Sequence, residues 1–144
     1  MAAKKKAKNA HELRKEALQA IQKLVRLIES DANGYCTCVT CGVTKQWNKG
    51  MQGGHFIPKK ASKYWALEID NIHPQCAYCN QYAMPFGIAA HKYTIYMQKL
   101  YGNEVVDQML ADIKKPQKLC PADYRDMIEN FNERIDRQLE RIGQ

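Results

Sequence analysis

Two short cysteine motifs constrain this chain more than any other feature. Cys38-Val39-Thr40-Cys41 and Cys76-Ala77-Tyr78-Cys79 each set two thiols three residues apart, a spacing that lets one turn of backbone aim both sulfurs at one ion. Two such pairs fill a tetrahedral Cys₄ shell. A zinc ion held this way has no open position, so it braces a fold and does no chemistry. Its binding energy would help fold the segment between the pairs. Gly42, directly after Cys41, suits a knuckle whose backbone amides fold back towards the sulfurs. Cys36 leaves an alternative open. Strand alternation would put Cys36 and Cys38 on one face, so Cys36 can replace another ligand, although the matched spacing favours Cys38 with Cys41. Cys120, alone before Pro121, reads as a small buried residue.

The chain has 144 residues, enough for one core of moderate size. Its 22 Lys and Arg against 15 Asp and Glu give a net charge of +7, which favours a polyanionic partner because neutralised phosphates release counterions. No apolar run reaches the length of a membrane span, and no apolar segment follows the basic start "MAAKKKAK" as a secretory signal requires. The expected location is therefore a reducing cytoplasm, where six cysteines argue for metal rather than disulfides.

Residues 1–8 read as a disordered basic tail, solvated or touching phosphates. Residues 9–33 read as an N-terminal helix, with Asn9 and Glu12 forming a capping-box-like pair, an apolar face of Leu13, Ala17, Ile21, Leu24 and Ile28, and Asn33-Gly34 as its end. Helical periodicity then disappears. Short strands are expected around Tyr35–Cys38, Val43–Trp47, Gln52–Ile57 and Trp65–Ile69. A short or broken helix should begin near Cys79, interrupted by Pro85 and Gly87. Residues 88–101 and about 104–113 read as helices, followed by a basic linker. The last helix should start near Pro121 with the stripe Tyr124, Ile128, Phe131, Ile135, Leu139 and Ile142. That stripe suits packing on the core, and its near-heptad spacing also permits a dimer seam. The core region is thus 34–102 and the C-terminal helical extension 103–144.

Between the cysteine pairs lie His55 and Asn71, and Asn80 follows Cys79. A histidine, an asparagine and a third polar residue ordered around a CxxC make an HNH-like pattern, and the pieces suit phosphodiester hydrolysis. A neutral imidazole can take a proton from water near pH 7. An asparagine can fix the imidazole's orientation, and an oxygen ligand near a helix start can help hold a hard divalent ion. The plain alternative for His55 is a turn histidine bonded to backbone.

The segments "GGHFIP", "IDNIHPQCAYCNQ" and "KLYG" resemble the NinG (Rap) family of phage recombination endonucleases. The broader resemblance is to HNH, or ββα-metal (His-Me finger), nucleases. It runs over roughly residues 11–140 in element order and is specific over about 34–102. It implies an α+β fold: a small zinc-braced ββα-metal core flanked by N- and C-terminal helices. His55 becomes the general base, Asn71 the residue that orients it, and Asn80 a ligand of a catalytic Mg²⁺ or Mn²⁺. Cys38, Cys41, Cys76 and Cys79 become ligands of structural zinc. The implied activity is metal-dependent endonucleolytic hydrolysis of branched recombination intermediates, such as Holliday junctions and D-loops, in the cytoplasm of a phage-infected host. The sequence departs from the pattern at two places. Many HNH nucleases carry an Asp or His ligand just before the base, where this chain has Gly54. A small polar segment is expected after C-N-Q, where this chain has "YAMPFGIAAH". Asp70, His73, His91 or water would have to complete the metal shell.

Lys59, Lys60 and Lys63 follow His55 and can neutralise phosphates of DNA. Trp47, Tyr64 and Trp65 can stack on unpaired bases, although Trp47 and Trp65 equally suit the core of a small zinc domain. Nothing reads as a sequence-specific base contact, which fits recognition of shape. Two nicks across a junction need two sites, so a homodimer through the terminal helices is a candidate assembly. The alternative function is a zinc-stabilised DNA-binding module without catalysis, which Gly54 favours. A protein-interaction zinc domain rests only on the apolar helix stripe.

Overall fold

The computed structural model describes residues 3–144. The expected basic tail therefore lies partly outside the described residues. Its described part, 3–8, has no regular structure and is exposed, and Lys8 reaches Glu16 at 2.7 Å. The first helix, α1 (Ala10–Ile28), starts where local chemistry dictates: Asn9 Oδ1 accepts the amide of Glu12 and satisfies a donor that the helix leaves unpaired. Leu13, Ala17, Ile21 and Leu24 are buried on one face. At the other end, the Arg141 guanidinium donates to the carbonyls of Leu27 and Ser30, closing off the last turn.

The strands form two separate antiparallel pairs. β1 (Tyr35–Thr37) pairs with β2 (Thr44–Gln46), and the first CxxC lies in the turn between them. β3 (Met51–His55) pairs with β4 (Ile72–Cys76), so that Met51 faces Cys76 at one end of the ladder and His55 faces Ile72 at the other. This second ladder lies at the centre of the molecule. α1 approaches it closely: a Cβ on Gly53 would lie 2.8 Å from the Cα of Gln22. Glycine is what lets helix and strand meet there.

The expected strand at Trp65–Ile69 is not formed. The chain makes two 3₁₀ turns instead, Trp65–Leu67 and Ile69–Asn71. Ser62 starts the first by accepting the Trp65 amide on its hydroxyl, and Glu68 closes it by donating to the Trp65 carbonyl. The partner strand of β3 begins only at Ile72. After β4 a π-helical segment, Cys79–Ala83, is closed by the Met84 amide on the Cys79 carbonyl. Gly87, with φ of 99°, then turns the chain into α2 (Ile88–Tyr101). α3 (Asn103–Ala111) and α4 (Pro121–Arg141) complete the chain.

Two apolar clusters flank the central ladder. One joins α1 and α4 through Leu13, Ala17, Ile21, Leu24, Tyr124, Ile128, Phe131 and Ile135, and continues to the cysteine end of the strands. Each large aliphatic side chain buried this way contributes about 2 kcal/mol. The α4 stripe is thus satisfied within the chain, by α1. The other cluster packs Ile57 against Tyr93, Met97, Val106 and Met109 of α2 and α3. Trp47 belongs to the first cluster and Trp65 packs against the second. Cys120 corrects an expectation: it is exposed, at the start of α4. A small apolar side chain gains little by burial, and its place before Pro121 keeps it on a helix end. No helix among the described residues is long and apolar enough to cross a membrane.

Candidate functional site

At the Met51–Cys76 end of the ladder the sulfurs of Cys38, Cys41, Cys76 and Cys79 lie within 4.8 Å of one another. The Cys41 and Cys76 sulfurs are 3.7 Å apart. Zn–S bonds of about 2.3 Å put the corners of a tetrahedron about 3.8 Å apart, so the four thiols fit a structural zinc ion. The knuckle geometry follows from Gly42, whose φ of 81° lets its amide bond the Cys38 carbonyl at 2.9 Å. The Cys79 amide points at Cys76 Sγ, 3.5 Å away. Cys36 takes no part. It is buried beside Ser30 and Arg26, and burial pushes its thiol up. The group placed to hold an ion is therefore the matched pair of pairs.

The thiols themselves ask for a cation. Burial acts to raise the Cys38 thiol, but hydrogen bonds from the Thr40 hydroxyl and neighbouring backbone outweigh it and bring it to about 6. Cys79 goes the other way. Its burial, reinforced by the adjacent Cys76 and Cys41 thiols, pushes it up to about 12. Four such groups cannot all ionise side by side unless a positive ion sits among them.

At the opposite end, His55 is 8% exposed and lines a cleft of ≈ 950 Å³. Its Nε2 lies 2.9 Å from the Ala66 carbonyl. A carbonyl only accepts, so Nε2 carries the proton and Nδ1 keeps its lone pair. Burial lowers this imidazole to about 4, the Ala66 carbonyl opposing and Lys59 adding to the effect. The ring is therefore neutral at pH 7. Asn71 is fully buried 14 residues along from Ile57, and its amide bonds both the Ile57 amide and carbonyl as well as the Trp65 carbonyl. It does not touch the imidazole. It clamps the loop on which the Ala66 carbonyl sits, and so acts on the ring through backbone.

Asn80 lines the same cleft, its Nδ2 donating to Gln52 Oε1 at 2.8 Å. Lys59 and Lys60 line it too, both exposed. Lys63 does not. It faces a separate hollow with Arg14, which donates to its carbonyl. His73 and His91 are not brought to His55 either. His73 is buried between the Glu29 carboxylate, 3.2 Å from Nδ1, and the Asp70 carbonyl, 3.1 Å from Nε2. His91 is exposed on α2. Trp47 is buried with its indole on Gln144, and Trp65 is half-buried with its indole on the Asp112 carbonyl.

A family model described as Bacteriophage Lambda NinG protein matches residues 1–141. The chain belongs to this family. No curated protein and no solved structure matches it. Membership in the NinG family covers both ends of the ladder and the flanking helices α1 to α4, and it suggests a role in phage recombination.

Within this NinG chain the structure adds three residues that reading the sequence missed. Thr40 bonds Cys38 Sγ at 3.4 Å and accepts from Gln75 Nε2 at 3.2 Å, linking knuckle to ladder. Gln75 is fully buried, and its side chain fills the space that a side chain on Gly54 would need, with Cδ 2.6 Å from the position of a Cβ there. Gly54 is thus the residue that lets Gln75 cross the sheet. Tyr93, also fully buried, donates to the Gly54 carbonyl at 2.7 Å and ties α2 to the strand carrying His55. The threonine inside the first CxxC was visible as a hydroxyl next to thiolates. The other two depend on pairing between distant segments, which leaves no local signal.

Proposed function

We propose that this chain is a metal-dependent DNA endonuclease of the HNH type that hydrolyses phosphodiester bonds in branched recombination intermediates. The observation that carries the reading is the state of His55: a neutral imidazole in a cleft, proton on the nitrogen bonded to Ala66, the other nitrogen free to accept. A general base for water must be unprotonated with an acceptor nitrogen free, and this ring meets both conditions; an anionic phosphate beside it would raise its proton affinity towards the working range. Water gives its proton to Nδ1, its oxygen attacks phosphorus, and the P–O3′ bond breaks. The Asn71 clamp keeps the Ala66 carbonyl in place and so keeps the tautomer. Lys59 and Lys60 hold the flanking phosphates.

Asn80 fits a hard divalent ion, because its Nδ2 is engaged by Gln52 and its amide oxygen is left for a ligand in the cleft. Mg²⁺ or Mn²⁺ bound there would supply positive charge for the phosphate and the departing oxygen. Gly54 contributes no ligand, so most of the shell comes from water and substrate.

The second reading, a zinc-stabilised DNA-binding module without catalysis, is favoured by one observation: Gln75 fills the place beside Gly54 where HNH nucleases carry a ligand. Incubating the zinc-loaded protein with a four-way junction and Mg²⁺ or Mn²⁺ separates the two. Cleavage by wild type that His55→Ala abolishes is the expected result. Binding with no cleavage under either ion leaves only the module.

A further inference from the structure

The chain hides most of its large apolar groups, yet it exposes a row of aromatic rings that starts within the second cysteine pair and runs on past it. Tyr78 is 69% exposed, Tyr82 58% and Phe86 83%. They are spaced four residues apart along one short helical segment and turn. The Tyr78 and Tyr82 rings lie 6.1 Å apart, inclined by 31°. Neither tyrosine hydroxyl has a hydrogen-bond partner among the described residues, so the fold makes no visible use of the rings. The segment is nonetheless firmly based. Cys79, between the two tyrosines, belongs to the zinc knuckle, and the Met84 amide closes back onto the Cys79 carbonyl at 2.8 Å.

The segment also has an inner side. Asn80, Gln81, Met84 and Pro85 line the His55 cleft, and Lys59 and Lys60 line it as well. The three rings do not line the cleft but stand exposed on the segment whose other residues do, so a strand leaving the cleft over this segment would carry its bases across them. The aromatic residues that the sequence offered for stacking are already engaged: Trp47 and Trp65 through their indoles, and Tyr64 beneath the Lys115 ammonium at 4.3 Å from its ring.

We infer that Tyr78, Tyr82 and Phe86 form a stacking platform for unpaired bases of the DNA strand entering the His55 cleft. The inference rests on the nucleic-acid reading of that cleft and adds to it: the preferred substrate has unpaired nucleotides beside the scissile phosphate, and stacking on the aromatic row replaces base-edge readout. Every base has a stackable face, so such a platform is indifferent to sequence. In paired duplex the faces are already stacked on one another, and the platform has nothing to bind.

The test is binding by the full, zinc-loaded chain with no divalent ion added, which keeps it independent of cleavage. The probes are a labelled four-way junction with a short unpaired gap at the branch and a fully paired duplex of equal length. The variant Tyr78→Ala/Tyr82→Ala/Phe86→Ala should lose affinity for the gapped junction by about tenfold per stacked base while its duplex affinity stays within about twofold of wild type. Tyr78→Phe/Tyr82→Phe should bind as wild type does. Phe86→Ala alone, remote from the cysteines, should relieve the quenching of a 2-aminopurine placed in the gap even if the triple variant fails to hold zinc. Equal affinity of wild type and alanine variant for the gapped junction overturns the platform. So does an equal loss on duplex, or a wild-type dimer that the variant converts to monomer, which would make the row a subunit seam. A protein that discriminates the gapped junction through these rings yet never cuts would keep the platform and lose the nuclease.

Discussion

At one end of the β3–β4 ladder Met51 faces Cys76 and four sulfurs converge. At the other, His55 faces Ile72 and a single imidazole stands neutral against a carbonyl. The same few residues of sheet thus carry two opposite electrostatic designs. The cysteine end gathers four thiols that can all ionise only around a cation. At the histidine end burial keeps the ring itself uncharged, and a backbone carbonyl, held in place by the Asn71 side chain, fixes its proton. The difference teaches where each end is vulnerable: the first to loss of its ion, the second to loosening of its loop.

The largest expected effect follows from removing the ion. Structural zinc contributes roughly 10 kcal/mol or more to such sites, which is comparable to the whole stability of a small domain. Cys76→Ser, or a strong chelator, should abolish the cooperative thermal transition seen by circular dichroism. A chelated protein that melts at the wild-type temperature, or a freshly purified folded protein without zinc by elemental analysis, would remove the brace from the account.

Next in size is the effect that the proposed nuclease activity predicts at the other end. His55→Ala should reduce junction cleavage by about a thousandfold while zinc content stays at the wild-type level. If cleavage continues undiminished, His55 is not the base, whatever the activity.

Asn71→Ala tests whether that end depends on its loop. The substitution strands the Ile57 amide and two carbonyls in the interior. It should cost about 4 kcal/mol, read from the urea midpoint, and should slow cleavage with it. Zinc content should not change. A loss of zinc on this substitution would show that the two ends are not separable.

These dependencies differ in how far the sequence displays them. The four converging cysteines are legible because chelating geometry is local: the CxxC spacing itself aims the sulfurs, and Gly42 completes the turn. The Asn9 cap, the extent of α2 and the start of α4 at Pro121 are local in the same sense. The residue types His55, Asn71 and Asn80 could be singled out, but not their connections. Asn71 works through the backbone of Ile57 and Trp65, and Ala66 through a carbonyl that every residue possesses. The apolar residues around Trp65–Ile69 resemble a strand, yet Ser62 and Glu68 wind them into 3₁₀ turns. Gly54 reads as a missing ligand until Gln75, paired from the other strand, is seen occupying its space.

The charge contrast has its own test in pH. The unfolded chain takes up the His55 proton near 6.5 and the folded chain only near about 4. Between those values the unfolded state binds more protons, so this contribution is complete above pH 6.5 and is lost as pH falls to 4. Its size is about 3 kcal/mol. Thiolate protonation and zinc release act over the acid range too, so the measurement is the difference between wild type and His55→Gln, which cannot titrate there. Wild type should lose more stability than the variant on acidification. Parallel curves would mean that the imidazole is not held neutral by the fold.

The smallest expected effect is at Cys36, and it sharpens the boundary of the cysteine end. Cys36 lies two residues before Cys38 but is buried beside Ser30 and Arg26, with its thiol held up by burial. Its sulfur is not among the four that converge at the end of the ladder. Cys36→Ala should cost about 1 kcal/mol from lost packing and leave one zinc bound per chain, whereas Cys38→Ala should release it. Zinc content measured for the two variants side by side decides which thiol closes the shell. Release from Cys36→Ala with retention in Cys38→Ala would exchange their roles and move that ligand from the turn into β1.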